Sequence, residues 1–135
     1  MLVSYLRPCN IDGAKHAWAI LSLLVKRFRQ EWPNVKIIFR GDSGFCRNKM
    51  LEWCDKNKVG YIVGTARNNR LLKLSSVLRA EVSVLCKQTE KKQRLFGEFQ
   101  YAAKSWKHKK RIIVKAEHTL LGANPRFIVT NLEGD

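Results

Sequence analysis

Acidic residues are scarce in this chain. It has 11 Asp and Glu against 26 Lys and Arg, which gives a formal net charge of +15 over 135 residues. A positive field of this size attracts polyanions, so nucleic acid is the first partner to consider and an anionic membrane surface the second.

Closely spaced cysteines and long hydrophobic runs are missing as well. The four cysteines form no Cys-x-x-Cys pair, and no histidine follows them at a zinc-finger interval, which argues against a structural zinc site. We expect them to stay reduced and buried, because we find no secretory signal. The longest apolar run, residues 17–25, is too short to span a bilayer. The sequence therefore predicts a cytosolic protein with no membrane partner.

The hydrophobic pattern of residues 1–66 predicts a mixed α/β core with flanking helices. A strand, a helix of about three turns and a second strand follow one another within thirty residues, so these two strands should be parallel. The predicted elements are a strand at 2–6, a helix from an N-cap at Asn10 or Asp12 with an apolar face ending at Trp32, a strand at 35–39, a helix at about 46–57 and a strand at 59–64.

The character of the chain changes over residues 67–135, where we predict a helix and then a β-rich second part. A helix is expected from about 70 to 86, followed by a charged connector. Three strand-like runs then form a predicted meander, at 95–106, 110–118 and 126–132.

The stretch IIFRGDSGF, residues 37–45, matches two unrelated motifs by chance. Its Arg-Gly-Asp-Ser lies at the end of a buried strand in a cytosolic chain, where no adhesion receptor would reach it. Its Gly-Asp-Ser-Gly resembles the surroundings of a trypsin-like serine, but Phe45 replaces the next glycine and the only upstream histidine is His16. What is left is a buried strand that ends in one carboxylate, Asp42.

Two interpretations of Asp42 are open. In α/β sheets, ligands bind outside the carboxyl ends of the strands, which is where this carboxylate lies. Gly41 and Gly44 would let the backbone turn sharply beside a bound group. Alternatively, Asp42 or Ser43 caps the helix that begins near Cys46 and has no chemical role.

Three blocks of the sequence, residues 6–16, 32–71 and 115–132, resemble successive blocks of bacterial insertion-sequence transposases with a DDE catalytic domain of group one. The resemblance implies a ribonuclease-H-like fold in which three acidic residues hold two Mg²⁺ ions. Such enzymes cut DNA at the ends of a mobile element and join it to target DNA. By position, Asp42 corresponds to the second catalytic aspartate and hence to a metal ligand. Residues from about 67 to 132 resemble the insertion that precedes the helix with the catalytic glutamate.

The first aspartate and the glutamate of that family have no counterparts in this sequence. We therefore expect the middle of a transposase that does not transpose DNA by itself, with Mg²⁺ as the cofactor of the complete enzyme. The resemblance also implies a bacterial, nucleoid-associated protein that forms homo-oligomers or pairs with a full-length transposase. The alternative is a stand-alone basic nucleic-acid-binding domain without catalysis.

Residues 87–115 contain ten Lys and Arg against two Glu. This density favours a surface that grips DNA phosphates, although lysines also protect ordinary strand edges from pairing. The turn after the strand at 59–64 should lie near Asp42 and adds a second group of candidates. The predicted DNA-binding residues are Arg67, Asn68, Arg70, Lys104, Lys107, Lys109, Lys110 and Arg111.

Overall fold

A computed structural model of the chain describes Ser4, Leu6 and residues 8–134. The strand predicted at residues 2–6 lies largely outside this description. Within the described residues, six strands form one mixed sheet with the order β1-β2-β6-β4-β3, in which the short β5 pairs with β4. The strands are β1 (Ile38–Gly41), β2 (Gly60–Thr65), β3 (Gln93–Tyr101), β4 (Lys110–Thr119), β5 (Gly122–Ala123) and β6 (Arg126–Thr130).

The pairing confirms the predicted mixed sheet. β1 and β2 are parallel, with Phe39 opposite Tyr61. The remaining pairs are antiparallel, and β3, β4 and β6 follow one another as the predicted meander. Because β6 also pairs with β2, strands from both halves of the chain share a single sheet.

Four helices accompany the sheet in the described residues, and two of the three helices predicted from the sequence differ from what is observed. They are α1 (Ala17–Glu31), α2 (Asn48–Lys56), α3 (Asn69–Leu74) and α4 (Ser76–Thr89). None of the helices in the described residues has the length and apolar character that a bilayer span requires.

The first helix was predicted to start too early. The Asp12 carboxylate accepts a hydrogen bond from the Ala14 N–H at 2.9 Å, which closes a turn rather than a helix end. His16 then has φ of 59°, a left-handed conformation that separates this turn from α1. Trp32, predicted on the buried face, follows the last helical residue and is 60% exposed.

The single helix predicted at 70–86 is in fact two helices that meet at Ser75. This serine is buried, and its hydroxyl donates to the carbonyl oxygens of Leu71 and Leu72 at 3.0 and 3.3 Å. Such bonding to the preceding turn competes with regular helix geometry and ends α3.

The helices bury one face of the sheet. Leu78 of α4 lies so close to Gly97 that a Cβ there would be 3.1 Å from the leucine Cδ2. Each of the helices α1, α2 and α3 contributes at least one buried side chain to the core cluster that the strands form. That cluster is Val25, Leu51, Cys54, Val59, Tyr61, Val63, Leu71, Tyr101, Trp106, Ile112, Val114, Phe127 and Val129.

The cysteines are free thiols, in line with the prediction, but only two of them are buried. Cys54 and Cys86 lie in the interior, Cys46 is partly exposed and Cys9 is exposed. Burial raises the pKa of the Cys54 thiol to about 12, so it remains protonated and behaves as a small apolar residue.

The opposite side of the sheet, called the open face below, carries the alternate residues of each strand. Thr130 and Glu117 are buried there, and the other non-glycine members are partly or fully exposed. The members are Ile38, Arg40, Gly60, Ile62, Gly64, Arg94, Phe96, Glu98, Gln100, Arg111, Ile113, Lys115, Glu117, Arg126, Ile128 and Thr130.

Candidate functional site

Asp42 directly follows β1 at the carboxyl end of the parallel pair. Its neighbour Gly41 pairs with Val63 of β2, and the carboxylate is exposed. One carboxylate oxygen, Oδ1, accepts the Gly44 N–H at 2.9 Å and caps a short 3-10 turn at Ser43–Phe45. Asp42 is therefore a cap, but of this turn and not of α2, which begins at Asn48 with Arg47 as its N-cap. Oδ2 takes no part in the capping bond.

The backbone around Asp42 is held in place by β2. A Cβ at Gly64 would lie 3.1 Å from the Ser43 backbone nitrogen, so a side chain at this position would push the turn away. The thiol of Cys46, just after the turn, hydrogen-bonds to Thr65 at the end of β2, although burial outweighs this bond and raises the Cys46 pKa. Glycine at position 64 thus allows the strand end and the turn to pack closely.

Arg47 connects the same turn to the segment before α1. Its Nε donates to the Gly44 carbonyl oxygen at 3.1 Å, and its guanidinium also forms an ion pair with Asp12. The turn that carries Asp42 is therefore supported from both sides.

The described residues do not by themselves make up a two-ion centre. They contain no group of three or more His, Cys, Asp or Glu that could hold a metal ion. Two-metal phosphoryl chemistry needs several bridging carboxylates, and Asp42 is one. Asp55 is bonded to Lys110, and Glu117 to Lys92 and Lys115, so these acids already have cationic partners.

Residues 67–70 divide between two locations. Arg67 is exposed two residues beyond the end of β2, the sheet end at which Asp42 lies. Asn68 caps α3 by accepting the Leu71 N–H at 2.9 Å and donates to the Tyr101 hydroxyl at 3.2 Å. Arg70 donates to the Ala102 carbonyl oxygen at 3.1 Å, with its guanidinium carbon 5.3 Å from the Tyr101 ring centroid. Asn68 and Arg70 therefore brace the connection between β3 and β4.

That connection, residues 102–109, is called the basic loop. Trp106 anchors it: the indole is buried and packs edge-on against Tyr101, with centroids 5.6 Å apart at 80°. Lys104, Lys107 and Lys109 around this anchor are exposed. The buried Trp106 thus fixes the position of the loop that carries the three exposed lysines.

Lys110 and Arg111, which follow the basic loop, are engaged inside the molecule. The Lys110 ammonium, whose side chain is 9% exposed, lies 2.6 Å from Asp55 Oδ2. Arg111 Nε donates to Glu98 at 2.7 Å, and its terminal nitrogens each donate at 2.8 Å to the carbonyl oxygens of Leu132 and Gly134. Both cations therefore have an intramolecular role that their sequence position does not indicate.

A cleft of about 740 Å³ lies beside this network and is lined partly by the basic loop. Asp55 is one of the acids that line it: its Oδ1 accepts from Asn131 Nδ2 at 3.0 Å, and Tyr61 lies nearby. Burial, followed by the nearby Asp55 charge, raises the pKa of Tyr61 well above its usual range. The sequence pattern did not predict this cluster, because Asp55, Lys110 and Asn131 are far apart in the chain.

The strand register separates the two candidate areas. Arg111 is level with Thr130, and Thr130 with Ile62, so the basic loop leaves the sheet near the beginning of β2. Asp42 lies at the other end, where β1 and β2 finish. A ligand contacting both areas would have to extend along the molecule.

Comparisons with known proteins give one match. A family model described as "Transposase DDE domain group 1" matches residues 1–135, the full length of the chain. A search of curated proteins and a search of solved structures each found no match.

Proposed function

Because the chain belongs to the transposase family with a DDE domain of group 1, we propose that it forms part of a catalytic domain that cuts and joins DNA in transposition. The observation that carries this proposal is the exposed Asp42 carboxylate at the carboxyl end of a parallel strand. In this proposal residues 1–66 belong to a ribonuclease-H-like core, and residues 67–135 form the insertion that follows it.

Magnesium would be the metal of the complete site. Mg²⁺ prefers oxygen ligands and keeps waters for substrate phosphates, which suits an exposed carboxylate. Asp42 supplies one such ligand, and the described residues do not supply the others. We therefore propose that the chain alone does not cut DNA, and that further acids come from other segments of a transposase.

The test is to join this chain to segments that provide the remaining acids of a DDE domain, and to assay nicking of element-end DNA with Mg²⁺. Nicking by the joined protein, together with none by the chain alone, is the expected result. A folded joined protein that binds end DNA but never nicks it would refute the catalytic assignment.

DNA contact by the basic loop is the second part of the proposal. Lys104, Lys107 and Lys109 are exposed around a buried anchor, whereas Lys110 and Arg111 have internal partners. We therefore assign phosphate contact to the three loop lysines, and we expect Lys110 and Arg111 to position the loop. Arg67 remains a candidate for contact at the Asp42 end.

Replacing Lys104, Lys107 and Lys109 together by Gln should weaken binding to duplex DNA about 10- to 100-fold at low salt. If each lysine neutralises one phosphate, the slope of log affinity against log salt should also become shallower by about 2.7. Fluorescence anisotropy at several salt concentrations measures both quantities.

A control variant with the same net charge replaces exposed lysines elsewhere, namely Lys26, Lys36 and Lys73. It should change the slope by less than about one phosphate equivalent. Equal effects of the two triple variants would mean that net charge, rather than the basic loop, determines binding.

One observation favours the alternative of a nucleic-acid-binding domain without chemistry. The Asp42–Gly44 hydrogen bond gives Asp42 a structural purpose that requires no metal. Under this alternative the joined protein would bind DNA with the same salt dependence and would never nick it.

We also propose association with a second polypeptide, either another copy or a full-length transposase. β1 pairs only with β2 in the described residues, so among these residues its other edge is available to a partner. An edge of this kind accepts a strand from a partner.

A further inference from the structure

The open face combines an exposed aromatic ring with a row of basic side chains. Phe96 lies opposite Lys115, and Lys115 opposite Arg126, so the three form a row across β3, β4 and β6. The Phe96 side chain is 62% exposed, and Arg126 and Arg94 on the same face are also exposed. An exposed ring among basic side chains offers a surface on which an unpaired base can stack while its phosphates contact the cations.

The acids on this face are already neutralised. Glu117 lies 3.1 Å from both the Lys92 and Lys115 ammonium groups. Glu98 is paired with Arg111. These pairs leave the face with an excess of positive charge, which matches a polyanionic partner better than a neutral peptide.

The row that begins at Phe96 leads toward Asp42. Gly64 belongs to the open face and lies against the backbone of residues 42 and 43. In the register, Gly64 pairs with Ile128 of β6, one row away from Arg126. From β3 to β1 there are four strand spacings of about 4.8 Å, so the path is about 19 Å long.

We propose that the open face binds single-stranded DNA, with a base stacked on Phe96 and the backbone running past Lys115 and Arg126 toward Asp42. Unpaired bases expose the π-faces that an aromatic side chain stacks on, whereas a duplex presents mainly phosphates. The inference rests on the proposed function only for the path of the DNA toward Asp42. Binding itself requires no catalysis.

The test measures the affinity of the chain for a labelled oligothymidylate of about 16 nucleotides and for a duplex of the same length. Phe96→Ala should weaken binding of the single strand about five- to a hundredfold and change duplex binding less than about twofold. Phe96→Tyr keeps the ring and should restore most of the affinity. Trp32→Ala is the matched control, because it removes another exposed ring that is outside the open face.

Charge on the face is tested separately. Replacing Arg94 and Arg126 by Gln should make the salt slope for the single strand shallower by about 1.4, from about 0.7 per phosphate. A Lys26→Gln, Lys73→Gln variant of equal charge should not do so. Thermal melts of every variant show whether the fold is intact, and Phe96→Tyr separates a lost ring from a lost fold.

Three results would overturn the proposal. The first is Phe96→Ala binding the single strand as well as Trp32→Ala does. The second is an equal loss for single strand and duplex, which would mean simple charge attraction. The third is a dimer that Phe96→Ala converts to a monomer with no change in DNA affinity, which would assign the face to self-association. Nicking by the joined protein would survive all three, so failure here is distinct from failure of the proposed function.

Discussion

Exchange of Asp42 for Asn in the joined, cleavage-competent protein is expected to reduce Mg²⁺-dependent nicking by a factor on the order of a thousand or more, which is about 4 kcal/mol. The amide removes the negative charge that a metal ligand at this position provides. Its oxygen can still accept the Gly44 N–H, so the turn at Ser43–Phe45 should persist. A nicking assay on end DNA, with affinity measured in parallel, checks this expectation.

This substitution separates the two interpretations of Asp42 because it keeps the cap and removes the charge. Asp42→Ala removes both, and should additionally destabilise the fold by about 0.5–2 kcal/mol. Glu81→Gln, at an exposed acid on α4, is the control for loss of one negative charge. If Asp42→Asn nicks DNA normally while Asp42→Ala is destabilised, Asp42 is a cap only.

Exchange of Asp55 for Ala is expected to lower the free energy of unfolding by about 2–3 kcal/mol. Asp55 bonds Lys110 and Asn131, and the Lys110 side chain is 9% exposed. Removing the carboxylate leaves this ammonium nearly buried without its counter-ion. We expect less than the about 3–5 kcal/mol of a fully buried pair, because the Asp55 side chain is 38% exposed and water can partly replace it.

Urea unfolding checks the second prediction, and a lower midpoint with an unchanged slope would indicate lost stability rather than a changed denatured state. Glu81→Ala, at the same exposed acid of α4, serves as the control here. Lys110→Met removes the nearly buried ammonium, so that Asp55 no longer has a charge to neutralise. Asp55→Ala in the Lys110→Met background should therefore cost much less than it does alone. If Asp55→Ala alone lowered the free energy of unfolding by less than about 0.5 kcal/mol, the effect would be that of an ordinary surface substitution and the prediction would be wrong.

Local pattern predicted the elements around Asp42, although β1 begins at Ile38 rather than at residue 35 and is partly or fully exposed rather than buried. The β-branched run before Gly41 and the apolar run at 59–64 indicated β1 and β2, and the short helix between them dictated their parallel pairing. The predicted helix boundaries were wrong where a side chain hydrogen-bonds to the backbone. Asp12 closes a turn that delays α1, and the Ser75 hydroxyl divides a helix whose hydrophobic spacing is continuous.

Side-chain partners that are distant in sequence were beyond local analysis. In the sequence, Lys110 and Arg111 could not be distinguished from the lysines of the basic loop, because the sequence shows their charge but not their partners. Their acidic partners lie 55 and 13 residues away, at Asp55 and Glu98. The location of Asp42 was predictable because it depends on where one strand ends, and its role in catalysis stays a prediction.

The position of β6 between β2 and β4 has a consequence for how the chain is made. The two neighbours of the sheet's central strand come from residues 60–65 and 110–119, but β6 itself comes from residues 126–130. During synthesis the parallel unit and the β3–β4 hairpin would emerge from the ribosome first, each with an unsatisfied edge. The two parts can join only when β6 has been translated, because β6 pairs with both. We therefore expect the complete sheet to form late, through long-range contacts, and the unpaired edges of β2 and β4 to need chaperone protection until then.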